Sequence, residues 1–418
     1  MEFIRMSGKE ILSPRLQSLQ QDLEAGKSDS LQLFLKSIKG QGTPLVEEFA
    51  NDDQDRIVTF LWQAGEEPNG VGLISLMTNP TTYPMARFLD TDIWYVTLQL
   101  PSDLRATYQF YPDDLPASAN GSANPLPASY RPDPFNPKTF AFYDDKEDPS
   151  GIKLTRSVLE LPHAPHQPWI TPQEGVAKGK VQLHQLQSDI LGNERRVWVY
   201  SPAGYSADKT YPLLVLFDGW AYARLIPTFT ILDNLIAAGE IPPLVAVLLD
   251  SLDAETRMTE LVFHQPFNDF IVTEFLPWVL THYAVTTDPT LRIIGGSSAG
   301  GLAATYAALE NSQIFGNVLS QSGAFTLLPE GETENGWLIH QFLEREKLPL
   351  RFHLDVGTME ANSYRDLKGR PSTLAGNRRM RDTLRKKGYK LHYTEFSGGH
   401  DYISWQGTLP EGLRALLG

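Results

Sequence analysis

At 418 residues the chain exceeds a single typical core, and its length predicts about two to three domains. Hydrophobic residues make up 41% and charged residues 21%, an ordinary globular composition with ample material for a core. A net charge of -14 excludes nucleic acid as an expected partner, because binding phosphate needs a basic field; zero cysteines exclude disulfides, thiolate metal sites and a cysteine nucleophile.

The opening residues carry Glu2 and Glu10 and lack the apolar run of a signal peptide. No stretch approaches membrane-spanning length, so a cytoplasmic chain without a membrane partner is expected. Residues 1 to about 50 predict a helical lead-in, from Leu16, Leu19 and Leu23 and then Leu31, Phe34, Leu35 and Ile38 at helical spacing. From Arg56 the period changes. Ile57–Trp62, Val71–Leu76, Ile93–Leu98 and Ala106–Tyr111 are short β-branched and aromatic runs separated by turn residues, a spacing that predicts an N-terminal antiparallel β-sandwich. Pro112 to Pro137 reads as loop, and the proline-rich Leu161–Trp169 as part of a linker over 161–179, which gives a first domain at 1–160 and a second at 180–418. His163 and His166 in that coil lack the further ligands that a metal needs and are read as surface groups.

The second domain has a different grammar. Val181–Leu186 and Arg195–Tyr200 look like paired strands. Leu213–Phe217 and Leu244–Leu249 are nearly continuous apolar runs, as strands buried on both faces should be. Strand and helix patterns then alternate through Ile293-Ile294, Val318–Ser320, Arg351–Val356 and Leu391–Phe396, which predicts an α/β domain with a doubly wound, mostly parallel sheet. Function in such sheets gathers at the carboxyl ends of the strands.

One corner of that sheet carries chemistry. In Leu291–Tyr306 a β-branched run breaks into Gly296-x-Ser298-x-Gly300 and becomes an alanine-rich helix, the spacing of a nucleophile elbow. The same pentapeptide also occurs by chance, and a glycine-rich corner can equally hold a phosphate. The downstream residues favour catalysis. A serine hydroxyl needs a base, and His400, in Gly398-Gly399-His400-Asp401 after the last strand, follows in the serine, acid, histidine order of α/β-hydrolases. His353 and His392 lie inside strand patterns and His340 in an amphipathic helix, so all three read as structural. For the acid, Glu360 in the loop after Gly357 is favoured over Asp355 within the strand, because a loop carboxylate has reach. The oxyanion needs two donors: Ala299 N–H, and the N–H of Gly219 or Trp220 after the strand ending in Phe217-Asp218. Asp-Gly is equally a common turn.

These residues carry a resemblance. The elbow, Phe217-Asp218-Gly219, Arg257 with Glu260-Leu261, Glu274–Trp278, and Gly398-Gly399-His400-Asp401 with Trp405 resemble the enterochelin esterase family, within the esterase-D-like and feruloyl esterase group of α/β-hydrolases. Val58–Trp62, Met85 and Arg87 with Asp92 and Trp94, and Asp133–Pro137 are similar to that family's own β-domain. The resemblance spans roughly residues 35–418 and implies a cytoplasmic serine esterase that cleaves the ester bonds of a catecholate siderophore to release iron. It implies Arg257, Arg87 and Trp405 as substrate-binding residues, no metal site and no cofactor, with ferric iron arriving in the substrate. By physics alone each arginine could be a salt-bridge residue. Arg378, Arg379, Arg381, Arg385, Lys386 and Lys387 read as a basic helix face. A feruloyl, acetyl-carbohydrate or general carboxylesterase on the same fold is the competing enzyme reading, and a siderophore- or carbohydrate-binding protein with an inert hydrolase domain the competing non-enzyme one. The sequence leaves the oligomeric state open.

Overall fold

The structure, a computed structural model, describes residues 11–49, 52–65, 68, 70–75, 81–112, 130–143, 152–361 and 371–418. Most of the loop expected over 112–137, and the first ten residues of the lead-in, lie outside the described residues. The chain divides into two compact units: Met1–Pro165 with Ser397–Ile403, and His166–Phe396 with Ser404–Gly418.

The first unit begins with the expected helical lead-in, α1 (Pro14–Glu24) and α2 (Ser30–Gln41), but this ends sooner than expected, because residues 45–49 pair as a strand. Ser13 caps α1 by accepting from Leu16 N–H, with proline in the first turn where its missing N–H costs nothing. Leu16, Leu19 and Ile38 bury the apolar face of the pair against Leu45, Leu61 and Phe88. The strands that follow are β1 (Leu45–Phe49), β2 (Asp52–Gln63), β3 (Gly72–Ser75), β4 (Thr81–Pro84), β5 (Ala86–Arg87), β6 (Ile93–Pro101), β7 (Arg105–Tyr111), β8 (Thr139–Tyr143) and β9 (Ile152–Glu160). They form two antiparallel sheets, ordered β1-β2-β6-β5 and β4-β3-β7-β9-β8. All four predicted strands are present, as β2, β3, β6 and β7. Phe60 of β2 meets Tyr108 of β7 with ring centroids 4.8 Å apart, and Trp62 meets Phe110 at 5.4 Å, so aromatic residues fill the space between the sheets.

The second unit holds β10 (Lys180–Ser188), β11 (Asn193–Ser201), β12 (Leu213–Leu216), β13 (Val245–Leu249), β14 (Arg292–Ser297), β15 (Asn317–Gln321), β16 (Arg351–Gly357) and β17 (Lys390–Phe396). Its helices are α3 (Gly219–Arg224), α4 (Thr228–Ala237), α5 (Ala254–Leu261), α6 (Gln265–Phe270), α7 (Leu276–His282), α8 (Ala299–Glu310), α9 (Trp337–Glu344), α10 (Thr373–Lys386) and α11 (Tyr402–Leu417), the first residues of α11 being grouped with the other unit. One eight-stranded sheet runs β10-β11-β13-β12-β14-β15-β16-β17. The β10–β11 and β11–β13 pairings are antiparallel and every other pairing is parallel. β12, β13, β14 and β15 are buried along their whole lengths, as apolar strands covered by helices on both faces must be.

The boundary between the units falls at Pro165, inside the coil expected to act as a linker over 161–179. Leu161 N–H donates to Leu104 O and His163 N–H to Ser102 O, so the first part of the coil is fastened to the β unit. Asn234 Nδ2 donates to Trp169 O and Thr171 O, which fastens the next part to the α/β unit. His163 Nδ1 lies 3.0 Å from Ser102 Oγ, a structural contact. Among the described residues no helix is long and apolar enough to cross a membrane.

Candidate active site

At the carboxyl edge of the sheet, β14 turns into α8 through Ser298, whose backbone sits at φ 57° and ψ -119°. A side chain rarely tolerates that conformation, and it persists only where the surroundings fix it. Ser298 N–H donates to Gln321 O at 2.9 Å, and Ala324 N–H donates to Ser298 O at 3.0 Å, so the corner is tied to β15 and the loop behind it. Glycine is required for the close approach: a Cβ built on Gly296 would stand 2.8 Å from the carbonyl carbon of Gly300. Ser298 remains half-buried, not sealed. Ala299 N–H belongs to the first turn of α8, where helix amides have no intrahelical acceptor and the dipole favours negative charge.

Glu360 lies in the single turn Thr358–Ala361 after β16 and is 1% exposed. Its Oε1 accepts from Ser322 Oγ at 2.6 Å and from Gly357 N–H at 2.9 Å. Ser322 Oγ accepts in turn from Trp405 Nε1 at 3.0 Å. Two donors on one oxygen fix the orientation of this buried carboxyl group. Asp355, the competing acid, is fully buried within β16; its Oδ2 faces His353 Nε2 at 3.3 Å, and His353 Nδ1 meets His392 Nδ1 at 2.9 Å. Asp355 is thus committed to an imidazole pair inside the sheet, and the strand histidines are structural, as expected.

The histidine loop belongs to the β unit. Asp401 is fully buried, and its Oδ2 accepts from Thr107 N–H at 3.0 Å and Thr107 Oγ1 at 2.6 Å. Arg105 N–H donates to Ser397 O, and the ring of Tyr402 packs on Phe142 with centroids 6.1 Å apart. Residues before and after His400 are therefore gripped by β7 and β8, while His400 itself is half-buried.

After β12 the chain reaches Asp218 in the left-handed region at φ 56° and then enters α3 at Gly219. A Cβ on Gly219 would fall 2.7 Å from Leu248 O, so only glycine lets this turn lie against β13. Trp220 N–H already donates to Asp250 Oδ1 at 3.2 Å, which favours Gly219 of the two proposed oxyanion donors. Arg257 lies on α5 and donates through Nε and a terminal nitrogen to the two oxygens of Asp218, at 2.6 and 2.7 Å. The expected substrate cation is thus held in a bidentate ion pair, because the carboxylate beside the turn meets its planar fork. Trp405 is 3% exposed, and its indole N–H donates to Ser322 Oγ, one hydrogen bond away from Glu360. Arg87 lies exposed on β5 of the other unit, with Nε donating to Thr91 O at 2.7 Å.

Ser322, Asp250 and Arg196 were not singled out by the sequence, and Asp218 only as part of the Phe217-Asp218-Gly219 strand end. Polar residues at strand ends carry no spacing signal, and only the pairing of distant strands brings them to one edge. The basic helix face is α10, where Arg378 makes a bidentate pair with Glu395. Among the described residues no group of three or more His, Asp or Glu side chains is placed to hold a metal.

Comparison with known proteins adds to this geometry. A family model described as "Putative esterase" matches residues 188–416, and one described as "Enterochelin esterase, N-terminal" matches residues 57–170. The iron(III) enterobactin esterase of Escherichia coli O6:H1 is 30% identical over 380 residues, covering 85% of this chain and 90% of that protein. Among solved structures, the ferric enterobactin esterase of Salmonella typhimurium superposes with a TM-score of 0.73 at 27% identity, over 90% of this chain and 96% of that one. The enterobactin esterase of Shigella flexneri, solved in the presence of enterobactin, gives 0.71 at 28% identity over 91% and 97%.

Proposed function

The chain belongs to the enterochelin esterase family, and from that premise we propose that it hydrolyses the ester bonds of a ferric catecholate siderophore, an enterobactin-like trilactone, and so releases iron. Ser298 Oγ attacks the ester carbonyl and passes its proton to His400. The tetrahedral oxyanion accepts hydrogen bonds from Ala299 N–H and Gly219 N–H. As the intermediate collapses, the C–O bond to the ester's alkoxide breaks and His400 gives that oxygen the proton, leaving an acyl group on Ser298. Water then attacks the acyl-enzyme, with His400 again as base, and frees the carboxylic acid and Ser298. Glu360 holds the imidazole in the tautomer that accepts from serine. Ferric iron enters as part of the substrate.

The observation that carries this reading is the strained elbow at Ser298, tied to β15 at the sheet edge where the buried, hydrogen-bonded Glu360 also emerges. The substrate is proposed on the full-length similarity to enterobactin esterases, since the fold alone hosts many esterases. A cytoplasmic site of action is part of the proposal and is checked by cell fractionation. The deciding experiment compares ferric enterobactin, its linear forms, feruloyl esters and short p-nitrophenyl esters, with Ser298→Ala beside the parent. Ferric enterobactin should give the highest kcat/KM, and Ser298→Ala should lose more than about a thousandfold on every ester. A preference for feruloyl esters would overturn the substrate, and an active Ser298→Ala would overturn the nucleophile.

A further inference from the structure

The turn after β12 is held by more charge than a surface turn needs. Asp218, at φ 56° and 7% exposed, receives both Arg257 bonds and a third from Ser251 Oγ at 3.3 Å. Two residues on, Trp220 N–H is fixed by Asp250 Oδ1, while Asp250 Oδ2 accepts from Arg196 Nε at 3.0 Å and a terminal nitrogen at 2.7 Å. The peptide that carries Gly219 N–H therefore lies between two residues, each pinned by an arginine–aspartate pair. The backbone of β13 closes it from a third side, since no Cβ fits between Gly219 and Leu248 O. The Asp218 carboxylate also reaches the elbow: a Cβ built on Gly300 would stand 3.1 Å from Asp218 Oδ2. The clamp on the turn and the start of α8 are thus in register with each other.

We propose that Arg257 and Asp218 are positioning residues of the oxyanion hole. Their bidentate pair, backed by Arg196 and Asp250, fixes the Asp218–Gly219 peptide so that Gly219 N–H is preset for the developing oxyanion. The inference rests on the proposed roles of Ser298 and Gly219, and it gives Arg257 a task other than neutralising an anionic substrate. An oxyanion donor acts only if it needs no reorganisation when charge develops. A salt bridge behind the turn supplies that rigidity, because Arg257 and Asp218 each have fixed planar geometry. A backbone that drifts by an ångström loses much of the effect.

The test uses a neutral ester, p-nitrophenyl acetate, beside ferric enterobactin. Arg257→Met and Asp218→Asn should each lower kcat by about 10- to 100-fold on both esters, with KM for the neutral ester within about twofold, because the oxyanion forms on either substrate. The double variant Arg257→Met with Asp218→Asn removes the charge left unpaired in Arg257→Met; it should regain thermal stability while kcat stays low. If Arg257→Met raises only the KM for ferric enterobactin and leaves the neutral ester untouched, Arg257 binds the anionic substrate and the proposal fails. If the double variant recovers kcat together with stability, the pair is a stability device alone and the proposal fails. Should Arg257→Met not fold, Asp218→Asn and the double variant decide the question by the same readings. Ser298→Ala, assayed in parallel, separates this failure from failure of the nucleophile assignment, since only the latter leaves that variant active.

Discussion

Ser298 and Glu360 show how surroundings set one side chain apart from others of its type. Serine is a weak nucleophile at its free pKa, and what distinguishes Ser298 is a backbone held at φ 57° by bonds to Gln321 and Ala324. Glu360 is distinguished from Asp355 in the same way: both are buried carboxylates at the end of β16, yet one is turned to Ser322 and Gly357 and the other to His353. Glu360→Gln keeps an oxygen for the two donors and removes the charge that stabilises a protonated imidazole. Its kcat should fall on the order of 10²- to 10⁴-fold while the fold is retained, measured by steady-state kinetics alongside a thermal melt. An unchanged kcat would mean that serine and histidine work without this acid.

Between β17 and the first residues of α11 lies the segment 397–403, which is grouped with the β unit. Two glycines make it pliable, and the β unit removes that freedom by bonding Asp401 to Thr107 and Ser397 to Arg105 N–H. The bonds to Asp401 are fully buried, so breaking one leaves a carboxylate oxygen short of a donor, at a cost of roughly 1–3 kcal/mol. Thr107→Val is isosteric and removes only the Oγ1 donor. It should lower Tm and reduce kcat several-fold by loosening the segment that carries His400, and Thr107→Ser should restore both. A fall in Tm without any change in kcat would show that the grip on the loop serves stability only.

For the whole molecule, His392 and Glu160 are two of the groups that shape the response to acid. Burial, with His353 close by as the second cause, lowers the pKa of His392 below its ordinary 6.5. The unfolded chain therefore takes up this proton first, so the stability it contributes is complete above pH 6.5 and falls as the pH drops toward the folded value. Glu160 is held at about 2, against an ordinary 4.5, chiefly by its hydrogen bonds from Arg105 and Lys138. Its contribution is present above pH 4.5 and is lost as the pH falls through about 2. Denaturant melts should show two stages of weakening on acidification. His392→Gln should reduce the first, which sets in as the pH falls through 6.5, and leave the second in place.

The sequence by itself determined most element types (though not β1, β8 or β9), the alternation of strand and helix in the α/β unit, and the glycine-flanked elbow at Ser298. Those rest on local rules: apolar runs for buried strands, alternation for half-buried ones, and glycine spacing around Ser298. Enough short motifs stood in order, from Val58–Trp62 to Gly398–Asp401, to identify the family as well. What the tertiary structure alone decided were the partners of charged side chains. The sequence left Arg257 and Trp405 as substrate contacts and Glu360 and Asp355 as rival acids. Only the parallel register of β12 to β16, which aligns Leu216 with Leu248 and Gly295 and Gln321 with Asp355, turned Arg257 to Asp218 and Trp405 to Ser322. The assignment of 397–403 to the β unit was hidden for the same physical reason. A hydrogen bond between Thr107 and Asp401 spans 294 positions, and nothing in the local spacing of either residue encodes a partner so far along the chain.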